Sequence, residues 1–358
     1  MPLAATQTSV ADSSARVMIC DDSAVIRGAI ARMLEADPDI RVVAKVGNGQ
    51  LALQALEAAR PDVLVLDIEM PVLDGMAALP MLLKADPGLR IIMASTLTTR
   101  GAEIAMRALR LGAADYLPKP SSIGGRDDDL FRREIVQKVK GLARMRRRGR
   151  AGVPSAAPPV VPVRPAPRVP PRLLAIGSST GGPRALFTLV QGLGRAVNVP
   201  IVLTQHMPAA FTPILADHIT RLGGLPCAEA RDGEPLTPGR IFLAPGDRHL
   251  LLDGARIRLS SDPPENFCRP AVDPMLRSAI ASFDGRVLVA MLTGMGHDGL
   301  EGTRRVVDAG GTAIAQDEET SVVWGMPGAI ARAGLCHAVL PLPRVAGKIL
   351  ELLRVATR

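Results

Sequence analysis

The stretch Val63-Leu64-Val65-Leu66-Asp67-Ile68-Glu69-Met70-Pro71-Val72-Leu73-Asp74-Gly75 decides how the first third of the chain is read. Four apolar residues in unbroken succession suit a strand buried on both faces, as in a parallel sheet. The run stops at Asp67, and a helical pattern follows from Gly75 to Lys84. Outward from it the alternation repeats. Strands are predicted over 16–20, 41–46, 63–67, 90–94 and 115–117. Helices are predicted over 24–35, 50–59, 75–84, 101–111 and 129–145. Five strands alternating with five helices predict a doubly wound parallel α/β sheet over residues 16–140.

The rhythm returns in the last half. Strands are predicted over 172–176, 200–204, 240–243, 287–292 and 312–315, with helices over 184–191, 211–222, 274–283, 300–309 and 344–355. His249–Leu252 and Arg256–Leu259, joined by Asp253-Gly254, read as a hairpin. Residues 172–358 are thus predicted to form a second doubly wound, Rossmann-like α/β domain with a β-hairpin addition. Between the two lie eight prolines from Pro154 to Pro171. Proline fixes φ and lacks a backbone donor, so 141–171 is expected to be a basic, extended tether.

Composition limits the function classes. The chain of 358 residues is long enough for two domains. Its four cysteines, Cys20, Cys227, Cys268 and Cys336, have neither disulfide-framework nor zinc-site spacing, which suits a reducing compartment. Met1–Arg16 lacks the basic start and apolar run of a secretory leader. Without a stretch of about 18 apolar residues, no membrane insertion is expected. The net charge of +8 is concentrated in residues 132–172, where Glu134 is the lone acid among twelve Lys and Arg. That is a helix end and a tether without aromatic interleaving, so no nucleic-acid partner is expected.

Parallel sheets gather ligands at the carboxyl ends of their strands. Asp21 and Asp22 end the first predicted strand, Asp67 the third, Ser95 the fourth and Lys119 the fifth, just before Pro120. Three carboxylates on one rim repel one another unless a divalent cation binds, and oxygen ligands of this kind favour Mg²⁺. The cation and Lys119 would neutralise an incoming phosphoryl group that Asp67 attacks, with Ser95 bonding a phosphate oxygen. The plainer reading, that these Asp residues cap the following helices, explains Asp21 alone better than it explains the whole set.

This segment resembles a two-component receiver domain. The resemblance rests on Cys20-Asp21-Asp22-Ser23, on the run from Leu66 to Gly75, on Ser95 and on Tyr116-Leu117-Pro118-Lys119-Pro120. It implies phosphorylation of Asp67 by a histidine kinase, with Mg²⁺ held by Asp21, Asp22, Asp67 and the backbone carbonyl of Glu69. It also implies that Tyr116 moves inward when phosphate binds.

In the last half, Gly177-Ser178-Ser179-Thr180-Gly181-Gly182 lies between a strand and a helix. The glycines permit a sharp turn that lifts Ser179 to the strand end, as in a nucleophile elbow. A phosphate cradle is an equally good reading of this loop alone. His206 ends the next strand on the same rim, where it can act as a base. Gly294-Met295-Gly296-His297-Asp298-Gly299 satisfies the dinucleotide pattern G-x-G-x-x-G, which keeps open a non-enzymatic regulator with a nucleotide- or partner-binding module. Its strand comes late in the domain, which counts against that reading. In the hydrolase reading Asp298 orients His206, and the glycine turn presents N–H groups to an oxyanion. The order Ser179, His206, Asp298 is not that of ordinary α/β-hydrolases.

Residues 172–355 resemble the catalytic domain of the chemotaxis response-regulator protein-glutamate methylesterases. The carrying motifs are Ile176 to Gly182, Gln205-His206-Met207-Pro208, Leu243 to His249, Leu292 to Gly299 and Gly325-Met326-Pro327. The resemblance implies Ser179 as nucleophile, His206 as base, Asp298 as orienter, Thr180 as support beside the nucleophile and the Met295 N–H in an oxyanion hole. It implies hydrolysis of glutamate methyl esters and deamidation of glutamines on methyl-accepting chemotaxis receptors in the bacterial cytoplasm. No cofactor is expected for the esterase. Where the family commonly has His-Arg-Pro-Ser-Val-Asp, this chain has Cys268-Arg269-Pro270-Ala271-Val272-Asp273. Cys268 and His249 are read as structural or peripheral.

Overall fold

A computed structural model describes residues 14–95, 98–119, 128–151, 164–165 and 169–354. Pro120 and the tether residues 152–163 and 166–168 lie outside the described residues. The first part comprises β1 (Ala15–Cys20), α1 (Ala24–Glu35), β2 (Ile40–Val46), α2 (Gly49–Ala59), β3 (Val63–Asp67), α3 (Gly75–Ala85), β4 (Arg90–Ser95), α4 (Thr99–Arg110), β5 (Asp115–Pro118) and α5 (Asp128–Ala151). Its five strands are all parallel, in the order β2-β1-β3-β4-β5. All five residues of β3 are buried, as its unbroken apolar run requires. The chain reverses direction across the sheet between β1 and β3, which opens the crevice beyond Cys20 and Asp67.

Helix α5 extends past Met145, and its last turns occupy the start of the segment expected to be tether. Burial explains this. Leu142 and Ala143 lie in an apolar cluster with Ile30, Leu34 and Val322, and the fully buried Arg146 meets Asp86 at 2.6 Å. An arginine-rich stretch with such partners is a helix face, not a solvated run.

The second part comprises β6 (Leu173–Ser178), α6 (Gly182–Leu193), β7 (Ile201–Gln205), α7 (Thr212–Gly223), β8 (Cys227–Glu229), β9 (Ile241–Leu243), β10 (His249–Asp253), β11 (Arg256–Ser260), α8 (Val272–Phe283), β12 (Val287–Met291), α9 (Leu300–Asp308), β13 (Thr312–Gln316), α10 (Met326–Arg332), β14 (Ala338–Leu340) and α11 (Leu342–Arg354). Seven strands form a parallel sheet in the order β14-β13-β12-β6-β7-β9-β8. The three-residue strands β8 and β14 and the seven-residue helix α10 escape pattern reading because they are too short to show a period. The hairpin β10–β11 stands apart as its own two-stranded sheet. Its Asp253–Arg256 pairing makes Gly254-Ala255 the tip, one residue later than expected, with Gly254 supplying the positive φ.

The two parts pack together through α4, β5 and α5. The Tyr116 and Phe211 rings stack with centroids 4.9 Å apart. At Gly141 of α5 the Val322 carbonyl comes so close that a Cβ would stand 2.0 Å from its oxygen, so only glycine fits that contact. Arg144 meets Glu318 at 2.7 Å across the same face.

Candidate functional sites

The N-terminal rim is built by the ends of β1, β3, β4 and β5. Ser23 and Asp74 cap α1 and α3, each accepting a backbone N–H of the first turn. The caps are therefore supplied without Asp22 or Asp67, and Asp21 accepts the N–H of Ser23 at Oδ1. Carboxylate oxygens of Asp21, Asp22 and Asp67 lie within 4.8 Å of one another. Lys119 Nζ sits 2.8 Å from Asp21 Oδ2 and 2.7 Å from Asp67 Oδ1. Asp22, Asp67, Glu69, Ser95 and Lys119 line one cavity of about 270 Å³. Burial raises the Asp67 carboxyl above its ordinary 3.8, and Lys119 offsets this only in part. Lys119 itself is held charged: burial would lower its ammonium, but Asp21 and Asp67 outweigh it. An all-oxygen donor set with a buried, incompletely compensated carboxylate fits a hard divalent cation.

The second rim lies at the carboxyl ends of β6, β7 and β12. Ser179 follows β6 on a turn that needs Gly181 at φ +75°. Gln205 ties that turn to β7: its Oε1 accepts from Ser178 Oγ at 2.7 Å, and its Nε2 donates to the carbonyls of Ser179 and His206 at 3.0 and 2.9 Å. From the β12 side, Thr293 accepts the Ser179 N–H and gives its hydroxyl to the Thr180 carbonyl. A Cβ on Gly294 would come within 2.9 Å of Ser179 Cβ, so the β12 loop crosses directly against the serine. The Met295 N–H has no hydrogen-bond partner among the described residues.

His206 and Asp298 meet, with Nε2 2.7 Å from Oδ2. Asp298 is almost wholly buried and is held by more than the imidazole. The N–H groups of Val272 and Asp273 bond its two oxygens, and Asn266 Nδ2 donates to Oδ1 at 3.0 Å. Burial would raise the Asp298 carboxyl, but His206 and these donors outweigh it and hold it below its ordinary value.

The other imidazole nitrogen differs from the expectation. Nδ1 faces Cys268 Sγ at 3.3 Å, and the Ser179 hydroxyl has no hydrogen-bond partner among the described residues. Cys268, read from sequence as structural or peripheral, touches the His206 imidazole. His249 is structural as read: it is buried, accepts the N–H of Ala271 at Nδ1 and places Nε2 3.1 Å from the Pro263 carbonyl. Burial alone would lower the His206 imidazole, but Cys268 and Asp298 outweigh it and hold it at about 10. Sequence reasoning also missed Asn266, Gln205, Thr293 and Asp273. Gln205, Thr293 and Asp273 stood inside the quoted motifs without a role, and Asn266 reaches Asp298 from a turn that no residue pattern encodes.

The two rims are connected. Asp115 Oδ2, at the start of β5, accepts the N–H of Gly181 at 3.1 Å, and Lys138 Nζ lies 3.0 Å from the same oxygen. Lys138 also donates to the Tyr116 carbonyl.

Comparison with known proteins agrees with this architecture. The family model for the response regulator receiver domain matches residues 17–125, and that for CheB methylesterase matches residues 174–349. A protein-glutamate methylesterase/protein-glutamine glutaminase of Azospirillum brasilense is 57% identical over 92% of this chain and 90% of its own length. One of the group 2 operon in Rhodospirillum centenum is 55% identical over 92% of each. The solved CheB methylesterase catalytic domain of Thermotoga maritima is 40% identical, covers 51% of this chain and all of its own, and has a TM-score of 0.49. At these identities over nearly the full length, the chain belongs to the family of protein-glutamate methylesterases/protein-glutamine glutaminases that carry an N-terminal receiver domain.

Proposed function

We propose that the chain removes methyl esters from receptor glutamates by a serine mechanism that phosphorylation of Asp67 accelerates. The single observation that carries the mechanism is the His206–Asp298 pair set beside Ser179 at the ends of adjacent parallel strands. Because Asp298 takes the Nε2 hydrogen, Nδ1 is the nitrogen left to act as base. Ser179 Oγ attacks the γ-carbonyl carbon and gives its proton to Nδ1. The oxyanion is met by the free N–H of Met295, within a turn supported by Thr180. Methanol leaves with the proton from His206, and water then cleaves the acyl-enzyme by the same route. A glutamine side chain in place of the ester would release ammonia.

Here Nδ1 faces Cys268 rather than Ser179, and Cys268 and Asp298 raise the imidazole pKa. The arrangement is a resting one, and turnover requires Nδ1 to leave Cys268 for Ser179. In the receiver, Asp21, Asp22, Asp67 and the carbonyl of Glu69 would hold Mg²⁺, whose chemistry is to neutralise charge on the incoming phosphoryl group. Asp67 accepts that group from a histidine kinase, and Ser95 and Lys119 bind its oxygens. The expected setting is cytoplasmic, beside chemoreceptors. Among the described residues no helix is long and apolar enough to cross a membrane.

The test is methanol release from a methylated chemoreceptor fragment. Wild type should release it, and Ser179→Ala should lose several orders of magnitude in rate with the fold intact. Near-wild-type release by that variant would move the nucleophile elsewhere.

A further inference from the structure

Asn266 and Phe267 both have positive φ, at +51° and +64°. They form the tip of a tight turn closed by reciprocal backbone hydrogen bonds between Glu265 and Cys268. A two-residue tip with both φ values positive favours Asn followed by Gly, because glycine alone enters this region without steric cost. The chain supplies the Asn and then places an aromatic residue where glycine would be unstrained. A non-glycine residue held here is strained.

Among the described residues the ring itself has little cover. The Phe267 side chain is 85% exposed, the most exposed of the large hydrophobic residues in the described structure. The chain has only six Phe, one Tyr and one Trp, and one of these few aromatics stands at a solvent tip. The described residues of the receiver part do not cover it either. Its backbone is nevertheless fixed with unusual care. The preceding Asn266 donates to Asp298 and Asp273, and the following Cys268 touches His206. Glu265 pairs with Arg277 of α8, anchoring the base of the turn.

The strain and the anchoring together hold one bare aromatic ring at a set position beside the base. We propose that Phe267 is a specificity-determining residue that packs against an apolar side chain flanking the esterified glutamate of the substrate protein. This rests on the reading of the site as an esterase acting on a protein. The ring contributes binding to a folded substrate and nothing to bond cleavage, so it separates protein esters from free ones. An aromatic anchor on a rigid turn loses little entropy on contact, which suits brief engagement of many receptor sites.

The experiment compares Phe267→Gly and Phe267→Leu with wild-type full-length protein on two substrates. One is a methylated chemoreceptor fragment, the other free glutamate γ-methyl ester. Phe267→Gly should lose about tenfold in kcat/KM on the receptor fragment, mainly through KM, as truncation of a binding anchor does. It should keep its rate on the free ester and unfold at a temperature no lower than wild type, because the strain is relieved. Phe267→Leu should retain more receptor activity than Phe267→Gly. Unchanged receptor kinetics in Phe267→Gly, or an equal loss on both substrates, would overturn the proposal. Wild type inactive on both substrates would instead refute the esterase reading on which it rests.

Discussion

Asp115 of the receiver part accepts the backbone N–H of Gly181, two residues beyond Ser179, at 3.1 Å. The same carboxylate is paired with the buried Lys138, which reaches the carbonyl of Tyr116. Tyr116 in turn stacks on Phe211 at the entry to α7. A shift of Tyr116 toward a phosphorylated Asp67 would therefore disturb the Lys138–Asp115 pair and with it the serine turn. The receiver part thus holds the turn that carries Ser179.

Asp115→Ala should raise basal methanol release by the unphosphorylated protein toward that of a chain starting at Arg172. Removing one partner of a buried ion pair costs about 3–5 kcal/mol, which here falls on the receiver part, and the Gly181 N–H across the contact loses its acceptor. Parallel hydrogen-exchange measurements should find α5 less protected. An unchanged basal rate in a folded Asp115→Ala protein, or a slower chain starting at Arg172, would mean that the receiver activates directly.

Cys268→Ala should lower the pH at which activity appears. With Nδ1 facing Cys268, Cys268 and Asp298 raise the His206 imidazole pKa, and a protonated imidazole is not a base. Without the thiol the acidic limb of kcat/KM against pH should move down toward the ordinary histidine value. The sign for stability is the reverse. A raised His206 pKa stabilises the fold fully below about 6.5, and this contribution is lost as pH rises through about 10. Cys268→Ala should therefore flatten the loss of stability on the alkaline side. Superimposable pH–rate profiles would remove Cys268 from the resting state.

Asp298→Asn should cut turnover by about 10⁴-fold, because an amide cannot fix the Nε2–H tautomer or balance the imidazolium. Asn266→Ala should be milder, since Val272 and Asp273 still hold the carboxylate through their N–H groups. Full activity in Asp298→Asn would favour a binding role for the glycine loop.

The parallel sheets and both rims were legible because their signals are local: apolar runs such as Val63–Leu66, each followed by a chemically loaded residue at the strand end. Ser179, His206 and Asp298 could be grouped because parallel strands must place their carboxyl ends together. The resting contact could not be read. Cys268 reaches His206 across 62 residues by way of a strained turn, and no periodicity encodes that approach. The Asp115–Gly181 bond is of the same kind, since it joins parts that each look complete alone. The end of α5 was misjudged for a related reason: Arg146 looks like a solvated charge until Asp86, sixty residues away, is brought beside it.

Methanol release by the full-length protein, measured with and without a small acyl phosphate in the presence of Mg²⁺, is the most direct measurement. Wild type should accelerate when the phosphodonor is added. Asp67→Asn should keep the basal rate and gain nothing, because an amide fills the same space but forms no acyl phosphate. Equal acceleration in Asp67→Asn, or none in wild type that Phos-tag gels show to be phosphorylated, would contradict control of Ser179 through Asp67.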